Sequence, residues 1–492
     1  MGISISSPTA LITQHPLNMA KKDIYESMER LSTGKRLNGL GDNIVDLAAQ
    51  TRLNSEIRGL AQATKNAGIG LAINDTADAA LDEVTDILQR MREVAVEASS
   101  TAISSTTRAS LNDETAALHA LITKISTDTK YNGQALLDGT FSSQSIQIGA
   151  NASNGSISYS ISSVAAASLG AFVSEGYTRV PVTPASTEPS NNTTANEDYT
   201  VGSSTIEATA NESAKSVAAK INAVSGATGV FATAETYAHL LSTNGSLESY
   251  TIEINSTSTA SFSISSTNVS AAVTAINAIS ATTGVTAIAT SDYKVLLHDA
   301  DGDDITIQNT TNSLANLDVY AVKRDGSTTQ GNTATDLAAS GGNDATRVVG
   351  TLRLTSDSEF TVAQAGTANL GYLVTGSAAR AAVSAIDLTG VDKTGSIKAA
   401  QAIETLDSAL NQISAVEGTI GANSKAFDHA VNTNSSVSTA KSLGLSLIED
   451  ADFASESARL AKAMMLREAS STILAQAKTN EEIVLKLLSQ FG

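Results

Sequence analysis

The five histidines, His15, His119, His239, His298 and His429, are the side chains best placed to move a proton or bind a metal near neutral pH. They are scattered along the chain. None belongs to an H-E-x-x-H array, which would set two imidazoles on one helical face for zinc with a glutamate as base. The run Asp299-Ala300-Asp301-Gly302-Asp303-Asp304 could gather carboxylates around calcium, but it lacks the closing glutamate of an EF-hand, so it predicts an acidic surface turn. No G-x-S-x-G elbow and no P-loop occurs. With no cysteine, thiolate metal sites, disulfides and cysteine nucleophiles are excluded. The chain is read as a non-enzyme with no catalytic, cofactor-binding or metal-binding residues.

The elements around these residues are unusual in a different way. The chain is 492 residues long, 41% hydrophobic but only 4% aromatic, and carries a formal charge of −19. That charge lies mainly in the middle: residues 151–390 are at −12, against −4 for 1–150 and −3 for 391–492. A phosphate backbone needs clustered cations, so nucleic acid is not an expected partner. No run approaches the ~18 apolar residues of a membrane span, and the first residues lack the basic and apolar regions of a cleaved signal peptide.

Apolar residues at the N-terminal end recur at helical steps. Leu17, Ile24, Met28 and Leu31 form one stripe, and Gly34, Gly39 and Gly41 then break it. A second helix is predicted through Leu47–Ile73 and a third after a cap at Asp75 or Thr76, with a fourth over about 106–128. At the other end, two helices are predicted over about 396–440 and 449–488. The last carries Ala451, Ala454, Ala458, Ala461, Met465, Ile473, Ala477, Val484 and Leu487. Long helices with narrow aliphatic stripes are coiled-coil partners rather than the core of a compact domain. Pro181, Pro184 and Pro189 mark 181–199 as a linker or domain edge.

The Ser/Thr-rich centre alternates as strands do, in Ser249–Asn255, Ala260–Ser266 and Asp304–Asn309. It also repeats itself. Ala219–Ala234 matches Ala275–Thr290, with Ile221/Ile276, Asn222/Asn277 and Gly229/Gly284 at one offset, so a duplicated helix–turn–strand module is expected at about 200–310. The fold class is α+β: long terminal helices forming a coiled coil and a helical rod, with a β-rich α+β central insertion.

Both ends carry long motifs. At the N-terminal end these are Glu29–Asn38, Ile57–Leu60, Asn66-Ala67, Leu88–Val96, Tyr131–Gly133 and Gln147–Asn151. At the C-terminal end they are Gly421-Ala422, Phe427-Asp428, Ile448–Ala454 and Leu474–Ala477. In this order and spacing the chain resembles a bacterial flagellin. The duplicated Ile-Asn-Ala segment is similar to a small module inside many flagellin inserts. The resemblance departs at Asp42–Asp46, at Lys425-Ala426 and at the appended Phe491.

The resemblance implies an extracellular structural subunit that self-polymerises into the flagellar filament for swimming. Residues 1–42 and 450–492 would pair as an inner coiled coil. Residues 43–180 and 391–449 would form a helical rod domain with a β-hairpin, and 181–390 would face solvent. It further implies an export chaperone on the C-terminal helix, a type III export apparatus, and filament cap and hook-junction proteins. Gln89, Arg90, Arg92 and Glu93, with Glu114 on the next helix, resemble the patch by which an animal Toll-like receptor recognises flagellins. Read from the residues alone, they form an i,i+3 and i,i+4 salt-bridge face. A hook–filament junction protein would share the terminal helices, and a secreted adhesin would place function in the insertion.

Overall fold

In the computed structural model, residues 8–39, 43–151, 155–176, 181–191, 197–242, 247–310, 316–324, 334–338, 342–365, 375–390 and 392–490 are described. Both ends are helical: α1 (Pro8–Thr33), α2 (Ile44–Ser99) and α3 (Ser105–Asp128) come first, and α8 (Asp392–Glu449) and α9 (Phe453–Gln490) come last. Between them lie strands and four short helices, α4 (Ala214–Ala223), α5 (Ser225–Thr228), α6 (Ser270–Asn277) and α7 (Ser280–Thr283). The class is α+β.

Pro16 sits inside α1, where it removes one N–H from the ladder without ending the helix. One sequence expectation gives way here, the break before the third helix. The break expected at Asp75 and Thr76 does not occur, and α2 runs unbroken for 56 residues, about 84 Å at 1.5 Å per residue. Its buried side recurs without a gap through Leu60, Ala63, Ala67, Ile73, Ala77, Leu81, Val84, Leu88 and Met91. A capping residue acts only where the chain leaves the helix, and continuous packing on both sides of Asp75 keeps it in. Where a cap does form, at Ser104, its hydroxyl accepts the Thr107 N–H at 3.1 Å.

The chain divides into two units. One lies within Met1–Ala72, Gln144–Tyr159 and Asn423–Gly492, the other within Ile73–Ser143 and Ser160–Ala422. In the first unit, the hairpin of strands Gln144–Gln147 and Ser156–Tyr159 is held by one asparagine from each of two helices. Asn66 donates to the Gln147 carbonyl at 2.9 Å and Asn434 to the Ile148 carbonyl at 2.8 Å. Phe427 is fully buried here, edge-on to Tyr159. A Cβ at Gly70 would lie 2.7 Å from its ring, so only glycine lets the phenyl approach.

The second unit is built on an antiparallel sheet whose longest strand, Val230–Ser242, serves several partners. Its first half pairs with Thr351–Ser356, and its second half pairs with Val295–Asp299 and Leu317–Ala321. Gly170–Glu175 and Ala379–Ala382 extend the sheet at one end. Two of the cores that form on it involve the short helices. Val217 and Ile221 of α4 pack over Val230, Ala232 and Leu354, whereas Ala272 and Ile276 of α6 pack over Val285, Ala287 and Leu297.

The two copies of the repeat fold alike. Asn222 donates to the Ala232 carbonyl and accepts its N–H, both at 2.8 Å. Asn277 does the same to Ala287, at 2.8 and 2.7 Å. Each amide thus acts as a peptide group closing a helix onto its strand. Gly229 and Gly284, at φ +68° and +74°, take the left-handed turn between helix and strand that side chains disfavour. The proline segment read as a linker is bonded in place at 181–191: Val182 donates to the Arg347 carbonyl at 2.9 Å and Ala185 to that of Ala345 at 3.0 Å. The aspartate run forms a turn in which Asp299 Oδ1 accepts the N–H groups of Asp301, Gly302 and Asp303, while Lys215 pairs with Asp301 and Asp303.

Replacing Asn222 or Asn277 by alanine strips a strand residue of both partners, and each change is expected to lower unfolding stability by about 1–3 kcal/mol. Urea denaturation should show a similar loss for both copies; a neutral result at one would mean its amide is not a clamp.

Candidate functional site

The site begins where the chain turns out of α1. Gly34, at φ +70°, accepts the Ala451 N–H at 3.0 Å, and the Arg36 N–H donates to the Glu449 carbonyl at 2.7 Å. Lys35 and Asp450 face each other as an antiparallel bridge, and Lys35 is ion-paired with Glu449. The Arg36 guanidinium reaches the Ile448 carbonyl at 2.8 Å and Asp46 at 2.9 Å. These contacts clasp the end of α1 to the start of α9, so the two helices run side by side.

Their shared seam is narrow. On α1 the buried residues are Ala20, Ile24 and Ser27, with Leu17 and Leu31 half-buried. On α9 they are Glu456 and Ala463, followed by half-buried Ser470 and Ala477 at the same seven-residue step, with Leu460 and Leu474 between. At the end beside the clasp Glu456 accepts from Ser27 Oγ at 3.0 Å and from Arg30 at 3.1 Å, while Arg459 approaches at 3.3 Å. Burial opposes ionisation of Glu456, but the Arg30 and Ser27 hydrogen bonds outweigh it and hold the carboxyl below its ordinary value. The Lys35 and Gln50 hydrogen bonds lower Glu449 likewise.

The residues expected to drive assembly divide between two faces. Leu17, Ile24 and Leu31 line the seam, whereas Met28 points outward, 54% exposed. On α9 the expected stripe meets the seam at half-buried Ala477 and otherwise lies away from it. Ala451 is half-buried, but Ala454, Ala458, Ala461, Met465, Ile473 and Val484 are exposed, Met465 by 68%. The Leu487 side chain lies outside the described residues. Met19, Tyr25, Phe453, Met464 and Leu466 are also exposed. The seam residues Ser27, Glu456 and Ala463 were not anticipated, because small and charged side chains leave no apolar signal. The seven-residue spacing of Glu456, Ala463, Ser470 and Ala477 was the available clue.

Of the second group, Gln89, Arg90, Arg92 and Glu93 are exposed on α2 and Glu114 is half-buried on α3. Arg90 joins three of them, donating to Glu114 at 2.8 and 2.9 Å and to Glu93 at 3.0 Å; Arg92 turns instead to Asp407 of α8 at 2.6 Å. Exposed pairs of this kind contribute little to stability, because water and salt screen them. The histidines do not converge. His239 is buried, which pushes its imidazole down to about 4, and His298 stacks on Tyr237. Among the described residues no group of three His, Asp or Glu side chains could hold a metal ion, and no helix is long and apolar enough to cross a membrane.

Paired chain ends with a polar seam and an apolar outer face define a structural protein of the self-associating kind. The profile of the bacterial flagellin N-terminal helical region matches residues 6–142, and that of the bacterial flagellin C-terminal helical region matches 403–488. The B-type flagellin of Pseudomonas aeruginosa is 30% identical over 497 residues, covering 99% of this chain and all of that one. Flagellin B of Vibrio cholerae is 40% identical over 152 residues, 31% of this chain and 40% of that protein. Among solved structures, FliC from Burkholderia pseudomallei is 18% identical, covering 72% of this chain and 99% of that one with a TM-score of 0.30. The chain belongs to the bacterial flagellin family. It is a structural subunit of the flagellar filament.

The lowered carboxyls set the sign of the pH response. Their contribution to pairing of the chain ends is complete above the unfolded glutamate value of about 4.3 and is lost as pH falls through the lower folded values. Amide exchange in α1 and α9 should accelerate as pH is lowered through that window, after correction for intrinsic rates. Glu456→Gln should flatten the response, and a variant as acid-sensitive as the parent would remove Glu456 from this role.

Proposed function

We propose that the exposed apolar faces of α1 and α9 are the surfaces through which copies of this chain polymerise. What supports this is their composition: Met28, Met465, Ile473 and Val484 stand in water on helices whose other side is already occupied. Covering a large aliphatic side chain contributes roughly 1.5–3 kcal/mol, and neighbouring copies supply that cover. The contact is head-to-tail, since only a non-closing association propagates as a helix.

The division into an inner coiled coil (1–42 with 450–492), a surrounding rod (43–180 with 391–449) and a solvent-facing insertion (181–390) is part of this proposal. So is its cellular setting. The subunit is exported unfolded through the type III flagellar channel, with a chaperone covering the C-terminal helix. It is then added under a cap protein beyond the hook-junction proteins. The chain is not an enzyme and uses no cofactor. The cluster of Gln89, Arg90, Arg92, Glu93 and Glu114 is a surface for an animal Toll-like receptor, supported by the convergence of Arg90, Glu93 and Glu114 on one exposed face.

Met465→Glu and Ile473→Glu place charge on the outer face of α9 without touching its seam. Seeded with filament fragments, the parent should elongate under the electron microscope. Both variants should remain monomeric with unchanged helix content and thermal midpoint. Filaments formed normally by the double variant would remove this face from assembly.

A further inference from the structure

A groove of about 550 Å³ opens in the second unit between the start of strand Gly170–Glu175, the edge strand Ala379–Ala382 and the middle of α8. That volume is within the range of small-molecule sites. Two charged side chains enter it without neutralising each other. The Arg380 guanidinium lies over the Phe172 ring, 4.3 Å from its centroid, and donates through Nη1 to the Ser168 carbonyl. Among the described residues no carboxylate pairs with it. Ring and carbonyl fix the plane of the fork and leave its other N–H groups uncommitted.

Asp357 likewise has no cationic partner among the described residues. It is positioned by Asn411, which donates to its carboxylate at 3.2 Å, and by Gln412, which donates to its backbone carbonyl at 2.7 Å. Gln412 is itself locked on Gly170, accepting its N–H at 3.1 Å and donating to its carbonyl at 2.9 Å. Ser160, Ser162, Ser163 and Ser168 also line the groove, and the Ser162 hydroxyl has no protein partner among the described residues.

We propose that this groove binds a carboxylated saccharide. The fork of Arg380 matches a carboxylate in two parallel hydrogen bonds. The Asp357 carboxylate accepts only, so it suits the hydroxyl donors of a sugar ring, and the serines can either donate or accept. A phosphate dianion fits less well, because it offers Asp357 and the serines no ring hydroxyls. An extended peptide offers too few hydroxyl donors for Asp357 and the serines.

Trigalacturonate, maltotriose and a triglutamate peptide, each titrated calorimetrically into the full chain kept monomeric, test this. Trigalacturonate should bind saturably and maltotriose about tenfold or more weakly, the difference expected of a bidentate charged pair. Arg380→Gln should weaken trigalacturonate about tenfold and leave maltotriose unchanged, and Arg380→Lys should not restore it. Asp357→Asn should weaken both sugars. Arg380 is exposed, so an unchanged thermal midpoint is expected to certify the fold, with the Asp357 variant as a second readout. No saturable binding, equal affinity for the neutral sugar, tighter binding of the peptide, or an Arg380→Gln variant as good as the parent would each overturn the assignment.

Discussion

Apolar surface on a long helix must be covered, and two helices lying side by side cover only one side of each. The α1–α9 seam uses that limited cover sparingly. It buries Ala20, Ile24 and Ala463 together with Ser27 and Glu456, while Tyr25, Met28, Phe453, Met465 and Ile473 stay outside. The largest potential gain from burial is therefore left unrealised in a single chain. Under the assembly proposed above, polymerisation is the step that completes the burial.

The polar end of the seam, beside the clasp, has its own consequence. A buried carboxylate is costly unless paired, and Ser27 and Arg30 of α1 add to the pairing that Arg459 gives Glu456 within α9. A slip by one turn would remove both α1 partners, so the trio favours one axial register. The clasp of Gly34–Arg36 against Ile448–Ala451 selects the same register through backbone hydrogen bonds. Two independent devices thus align a helix pair whose small, nearly featureless seam would otherwise tolerate sliding.

The second unit combines part of the helical framework with the β-rich centre, and α8 is the element common to both. Glu404 accepts from Arg353 at 2.9 Å and from Arg324 at 3.3 Å, both borne by the sheet region, while Asp407 one turn later takes Arg92 of α2. The insertion is mounted on the same helix that braces α2. Its duplicated modules add a repeated solution to a local problem. An asparagine closes each helix on its strand, and a glycine supplies the turn.

The sequence by itself determined the features that depend on local pattern. Aliphatic periodicity placed helices at both ends, the common offset of Asn222/Asn277 and Gly229/Gly284 exposed the duplication, and motifs such as Glu29–Asn38 and Ile448–Ala454 carried the family. Only the tertiary structure decided which side of α9 faces α1. Ala454, Met465 and Ile473 and the seam of Glu456 and Ala463 are all compatible with a helix. The choice between the two faces rests on Ser27 and Arg30, more than four hundred residues away. The continuity of α2 through Asp75 was hidden for the same reason. A capping residue is a local signal, whereas the packing that overrides it comes from segments distant in the chain.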